Sequence, residues 1–187
     1  MNEPGRSDGS VTRLLTVGDV PELTAALRDN RAFLKPWEPT HEDAYFTVRG
    51  QDLVTRALLT AYGAGTIVPL VILDDDGAIV GRITLTGIVR GAFLSGTIGY
   101  WVAEHAGGRG LATAAVGDVV DLAFGRLGLH RVEAGTLLHN AASQRVLAKN
   151  GFTRYGEAPS YLRIDGAWRD HVLFQRVREE PQLTPPA

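Results

Sequence analysis

Three glycines, at 107, 108 and 110, flank Arg109 in the stretch EHAGGRGLATAAV, just ahead of apolar residues at helical spacing. A glycine turn that opens a helix exposes backbone N–H groups that no helical carbonyl accepts, and the helix dipole adds partial positive charge there. Such a loop suits a phosphate. Gly108 and Gly110 remove Cβ atoms where a bulky pyrophosphate must approach the backbone, and Arg109 supplies a cation beside it. A tight turn with a solvated arginine is the plainer reading of the same residues. The dinucleotide fingerprint is not matched, because its third glycine would fall at residue 113, which is Thr. No Walker lysine follows the glycines, which argues against ATP or GTP hydrolysis.

A second segment, LLHNAASQRVLAKNGF, combines Asn140, Ser143, Lys149, Asn150, Gly151 and Phe152 at short fixed spacings downstream of the loop. Asn140 and Ser143 sit one helical turn apart on one face, where both could meet a ligand. The same pair also suits a helix N-cap and first turn. Gly151 reads most simply as a helix stop, and Phe152 and Trp168 as core. Trp37 lies between prolines, where an exposed indole could line a groove or cover the core.

These residues need a scaffold, and the chain has the means to build one. At 187 residues, 44% hydrophobic, it can bury a core. Residues 10–178 read as one domain between polar or proline-rich tails at 1–9 and 179–187. A net charge of −2 and no basic run argue against a nucleic-acid partner. With no cysteine, disulfides, thiolate metal sites and a cysteine nucleophile are excluded. No apolar run approaches the roughly 20 residues of a membrane span, and the first residues lack a signal-peptide core, so a cytoplasmic protein is expected.

Along the chain, VTRLLTV suits a strand, and Asp19 with Pro21 opens a helix. RAFLKPWEPT reads as a loop. Thr40 and Asp43 have capping-box spacing ahead of helical sequence to about Tyr62, which Gly50 could split. GTIVPLVIL and GAIVGRITLTGIV form a hairpin across the turn at 74–77, and GTIGYWVAEH is the next strand. A helix follows from Leu111 to Leu127, then a strand, a short helix over NAASQRVLAKN and two closing strands. The pattern βαα βββ α β α ββ predicts an α/β (α+β) fold: a mixed, mostly antiparallel twisted sheet of about seven strands with helices on both faces.

The loop, the NAASQRVLAKNGF segment, IDGAWRDHVLF, FLKPWEP and GYWV together resemble the GNAT acetyltransferases. More narrowly they resemble the branch acting on N-terminal alanines of ribosomal proteins, over roughly residues 11 to 177. The resemblance implies acetyl-CoA as co-substrate, no metal and, by analogy, a homodimer. It implies that the strand before the loop splays from its neighbour, so that backbone at Tyr100, Trp101 and Val102 pairs with the pantetheine arm. Gly107, Gly108, Arg109, Gly110, Leu111, Ala112 and Thr113 would cradle the pyrophosphate. His105 stands where the family commonly has Gln or Arg, which leaves the loop's charge to Arg109 alone. Asn140 would hold a pantetheine amide, and Ser143 would sit near the sulfur.

The implied reaction is direct attack of an amine on the thioester. Ser143 is a candidate donor to the departing thiolate, and Tyr155 is the alternative. Candidates for a base are Glu104, Glu133, His139, Glu157 and His171, none distinguished by its context. Trp37 and Glu133 are expected at the acceptor. An α-amine of pKa about 7.7–8.0 is roughly 10–15% neutral at pH 7, whereas freeing a lysine amine costs roughly 4.6 kcal/mol. A site without a strong base therefore favours an N-terminal amine. The alternatives are acetylation of a small amine or antibiotic, and an acetyl-CoA-binding sensor without turnover.

Overall fold

The computed structural model describes residues 9–179, so the expected tails lie outside it except for Gly9 and Glu179. Seven strands form one sheet in the order β1-β2-β3-β4-β5-β7-β6: β1 Thr12–Leu14, β2 Val68–Leu73, β3 Ile79–Val89, β4 Ser95–Val102, β5 Arg131–Leu137, β6 Thr153–Ile164 and β7 Ala167–Val177. Every neighbouring pair is antiparallel except β4 with β5. The helices are α1 Val20–Asp29, α2 Arg31–Leu34, α3 Val48–Gly63, α4 Leu111–Asp121 and α5 Ala141–Lys149. The mixed, mostly antiparallel sheet with flanking helices is the expected architecture. Among the described residues no helix is long and apolar enough to cross a membrane.

Side-chain alternation divides the apolar residues between two clusters. Val71 and Trp101 join Leu23 and Leu27 of α1, whereas Ile83 and Leu85 join Val116 and Val119 of α4. The β2–β3 hairpin closes where the sequence places it. Asp74 accepts from the N–H groups of Asp76 and Ala78, and Gly77 adopts a φ of 84°.

Four local expectations need correction. Arg31–Leu34 is a short helical turn within the expected loop. Asp43 does not close a capping box with Thr40; its carboxylate pairs with Arg31 at 2.6 Å, and a 3-10 turn runs over Asp43–Phe46. The helical segment breaks at Thr47, which caps α3 by accepting from the Gly50 N–H. The helix after the glycine loop ends at Asp121 and continues as a π turn over Leu122–Arg126.

Gly50 has a reason other than breaking a helix. A Cβ there would stand 1.9 Å from the Ala44 carbonyl oxygen, because the 3-10 turn packs back on the first turn of α3. Alanine normally favours a helix by about 1 kcal/mol over glycine. Here the clash with backbone reverses the sign, and Gly50→Ala is expected to cost about 1–3 kcal/mol. A thermal melt checks this, and an unchanged or higher Tm would refute it.

Candidate active site

The site begins where two strands part. β4 and β5 pair only through Ser95–Thr97 and Arg131–Glu133, and beyond Thr97 the strands make no further ladder contact. From Ile98 to Val102, β4 keeps β3 on one side and, among the described residues, has no strand on the other. A parallel pair has evenly spaced bonds along its length. Its interruption leaves an edge of backbone donors and acceptors facing a cleft.

Two cavities open from this cleft. One, about 280 Å³, is lined by Val102, the loop residues Gly107, Gly108 and Gly110, Leu111 to Thr113, and the α5 face carrying Arg145, Val146 and Lys149. Gly108 and Gly110 have φ of 75° and 85°, and Gly110 is the N-cap of α4. The left-handed backbone is what demands glycine here, since no atom lies within 4 Å of where either Cβ would be. No backbone carbonyl among the described residues accepts from the N–H groups of Gly108 to Thr113. That is the donor set an anion requires.

The other cavity, about 500 Å³, lies between the parted strands, the segment around Trp37–Tyr45 and the ends of β6 and β7. Tyr100, Trp101, Asn140, Ser143 and Trp37 all line it. Asn140 caps α5 by accepting from the Ser143 N–H at 3.0 Å. The Ser143 hydroxyl meets the Tyr100 hydroxyl at 2.8 Å. Burial pushes the Tyr100 phenol up to about 12, against a smaller pull downward from Ser143. The phenol is therefore neutral through the working pH range, and a donor.

Other expected residues lie elsewhere. The Arg109 guanidinium pairs with Asp75 of the β2–β3 turn at 2.6 Å, and His105 is exposed and lines neither cavity. The loop's charge does not rest on Arg109 alone, because Arg145 and Lys149, one turn apart on α5, face it. The Tyr155 hydroxyl donates to Glu133 at 2.9 Å, with the Arg131 guanidinium over its ring, and neither Tyr155 nor Glu133 lines either cavity. Tyr155 is swung there by the bulge between Arg154 and Gly156. Glu157 is held by Arg154, Glu104 is exposed, and His139 packs its ring on Trp37 at 5.5 Å. Of the five candidate bases only His171 lines the larger cavity. Phe152 is core, as expected, but Trp168 is 64% exposed near the turn of the β6–β7 hairpin.

Four residues of this cavity have no role assigned from the sequence: Glu38, His41, Tyr45 and Arg82. Burial pushes the Glu38 carboxyl above its ordinary range, with Arg82 pulling the other way. Burial first, then Arg82, holds His41 below its usual value, so it is neutral at pH 7. The one available signal was Glu38 beside Trp37 within the proline-bounded segment.

The acetyltransferase (GNAT) domain model matches residues 11–153. The chain is 32% identical over 168 residues to the [ribosomal protein uS5]-alanine N-acetyltransferase of Escherichia coli, covering 89% of this chain and 87% of that protein. It is 36% identical over 167 residues to a probable N-acetyltransferase of Bacillus subtilis, covering 87% and 90%. Among solved structures it is similar to Mycobacterium smegmatis RimJ in complex with CoA-disulfide, with a TM-score of 0.85, 33% identity and coverage of 94% and 84%.

Proposed function

This chain belongs to the acetyltransferase (GNAT) family, and on that premise we propose that it moves the acetyl group of acetyl-CoA to the N-terminal α-amine of a protein. A ribosomal protein beginning with alanine, as for its relatives, is the kind of acceptor meant. The observation that carries this reading is the parting of β4 from β5, with an anion-type loop at one end of the cleft and a larger cavity at the other. β4 and α5 run past both cavities, so one ligand can lie along them with its phosphates on the loop and its reactive end beside Ser143.

In this reading the N–H groups of Gly108 to Thr113, with Arg145 and Lys149, hold the pyrophosphate. Asn140 spends its carbonyl oxygen on the α5 cap, which leaves its amide N–H groups for a pantetheine carbonyl. The free edge at Tyr100–Val102 pairs with the same arm and offers an N–H to the oxyanion. Trp37 walls the acceptor side. The amine lone pair attacks the thioester carbon, the C–N bond forms, the C–S bond breaks, and the sulfur leaves against the Ser143 hydroxyl. Tyr155 takes no part, because its hydroxyl is committed to Glu133.

A polyamine acceptor would call for several carboxylates, and among the described residues Glu38 is the single one lining the cavity. The test is a peptide with free N-terminal alanine beside the same peptide with a blocked terminus and an internal lysine. Mass spectrometry should find acetyl on the first and near background on the second. Efficient lysine modification would overturn the acceptor assignment, and no release of CoA from any amine would make the chain a sensor.

A further inference from the structure

Among the described residues the larger cavity holds one carboxylate, Glu38, and one permanent cation, Arg82. Each lies within the other's field, yet they form no ion pair, and the Glu38 carboxylate has no hydrogen-bond partner among the described residues. Arg82 donates through Nη2 to the Tyr45 hydroxyl at 3.3 Å, while its Nη1 is buried without a partner among the described residues. The indole N–H of Trp101, directly across the β3–β4 ladder from Arg82, is also buried without a partner among the described residues. Buried donors are almost always satisfied in a folded protein, and leaving one open costs about 1–3 kcal/mol. A carboxylate and a guanidinium held close but apart, over an apolar surround of Leu34, Leu58, Leu162 and Ile164, make a site for a small ligand with a cation at one end and an acceptor at the other.

A peptide N-terminus has that form: its α-amine and first carbonyl oxygen flank one Cα. Building on the reading of an N-terminal acceptor, we propose that Glu38 receives the acceptor's α-ammonium and takes its proton, while Arg82 Nη1 donates to the carbonyl oxygen of the acceptor's first residue. A lysine side chain has no carbonyl beside its amine and could engage only half of this clamp. The protons balance. Glu38 removes one from the ammonium and passes it to solvent, the free amine attacks, and the second N–H proton lost from nitrogen ends on the departing sulfur.

The surroundings of Glu38 support this use. Arg82 faces it from β3, His41 and Tyr45 from its own segment and His171 from β7, while Lys35 and Asp165 pair at 3.8 Å beside its backbone, whose carbonyl accepts from the Asp165 N–H. Burial raises the carboxyl and brings it nearer the amine it must deprotonate. The raised native value means that the folded state binds this proton more tightly than the unfolded chain. Glu38 therefore lowers stability as pH rises from 4.5 through its native value. Glu38→Gln should consequently melt at or above wild type at pH 8, which makes it a sound test of chemistry.

Two experiments decide the matter, with acetyl-CoA affinity by calorimetry as the control for folding. The first compares an alanine-led peptide with its analogue carrying a trans-alkene in place of the first peptide bond, which keeps the shape and removes the carbonyl oxygen. Wild type should lose ~10- to ~100-fold in kcat/KM on the alkene, as expected for one charge-assisted hydrogen bond. Arg82→Met should bring the normal peptide down to the alkene's level and leave the alkene unchanged. Equal losses on both peptides would overturn the role of Arg82. The second follows pH. Below the amine's pKa of about 7.7–8.0, Glu38→Gln should fall about tenfold per pH unit because it needs amine that is already free, while wild type stays level down to the native pKa of Glu38. A deficit independent of pH would overturn the role of Glu38. An alanine peptide that wild type does not acetylate at all would remove the clamp together with the acceptor reading beneath it.

Discussion

Ser143→Ala is expected to lower kcat and kcat/KM together by ~10- to ~100-fold, with KM for acetyl-CoA close to wild type, because in the proposed mechanism its hydroxyl meets the sulfur mainly as the C–S bond breaks. The Tyr100 hydroxyl lies 2.8 Å behind it and can donate to Ser143, aiming the serine proton forward. That arrangement polarises the serine but does not supply a free proton. A phenol at about 12 facing a thiolate of pKa about 8.5 would give up its proton only at a cost of roughly 5 kcal/mol. The proton that stays on sulfur must come from the attacking nitrogen, and the two hydroxyls hold the developing charge while it moves. In the proposed mechanism Tyr100 is thus a positioning residue. Tyr100→Phe should cost about tenfold in kcat, and the double variant no more than Ser143→Ala, since the tyrosine acts through the serine. If the serine hydroxyl served only to bond the buried Tyr100 hydroxyl, Ser143→Ala would lower Tm and spare kcat. Losses that multiply in the double variant would overturn the relay. Tyr155→Phe should leave kcat nearly unchanged, as its hydroxyl faces Glu133.

What could be read from the sequence was set by short-range physics. The β2–β3 turn, the glycine loop and the α5 start each declare themselves within a few residues, through positive φ or through a side chain capping its own helix. The sheet followed from period-two patterning, and the parting of β4 from β5 from the family likeness. Contacts made by topology were hidden. Glu38 and Arg82 line one cavity because the segment after α2 folds over β3, and nothing near either residue announces the other. Tyr155 follows Phe152 closely in sequence, but a one-residue bulge sends it to Glu133. Trp168 is core by residue type, yet it sits near a hairpin turn and is 64% exposed. Tyr100 was legible for its backbone alone, because its hydroxyl finds Ser143 only when α5 packs against β4.

Charge at the loop is the clearest case of the same limit. Arg109 is the arginine among the glycines, but its guanidinium is 2.6 Å from Asp75, whereas Arg145 and Lys149 line the loop cavity from α5. Replacing both Arg145 and Lys149 by Ala is therefore expected to weaken acetyl-CoA binding about 100-fold. A charge-assisted hydrogen bond to phosphate is worth about 1.5–3 kcal/mol, and the lower end applies because both residues are exposed and screened. Alanine keeps the helix, so the α5 cap and Ser143 stay in place. Arg109→Ala should change the affinity less than about threefold, because its guanidinium is paired with Asp75 and does not line the loop cavity. Calorimetry at two salt concentrations separates the roles. Raising the salt should weaken the wild type and the Arg109 variant alike, and the double variant much less, since the charges being screened are those already removed. An Arg109→Ala loss equal to that of the double variant would mean that Asp75 releases the guanidinium to the phosphates when the ligand arrives, and would restore the loop arginine to the role its sequence position suggests.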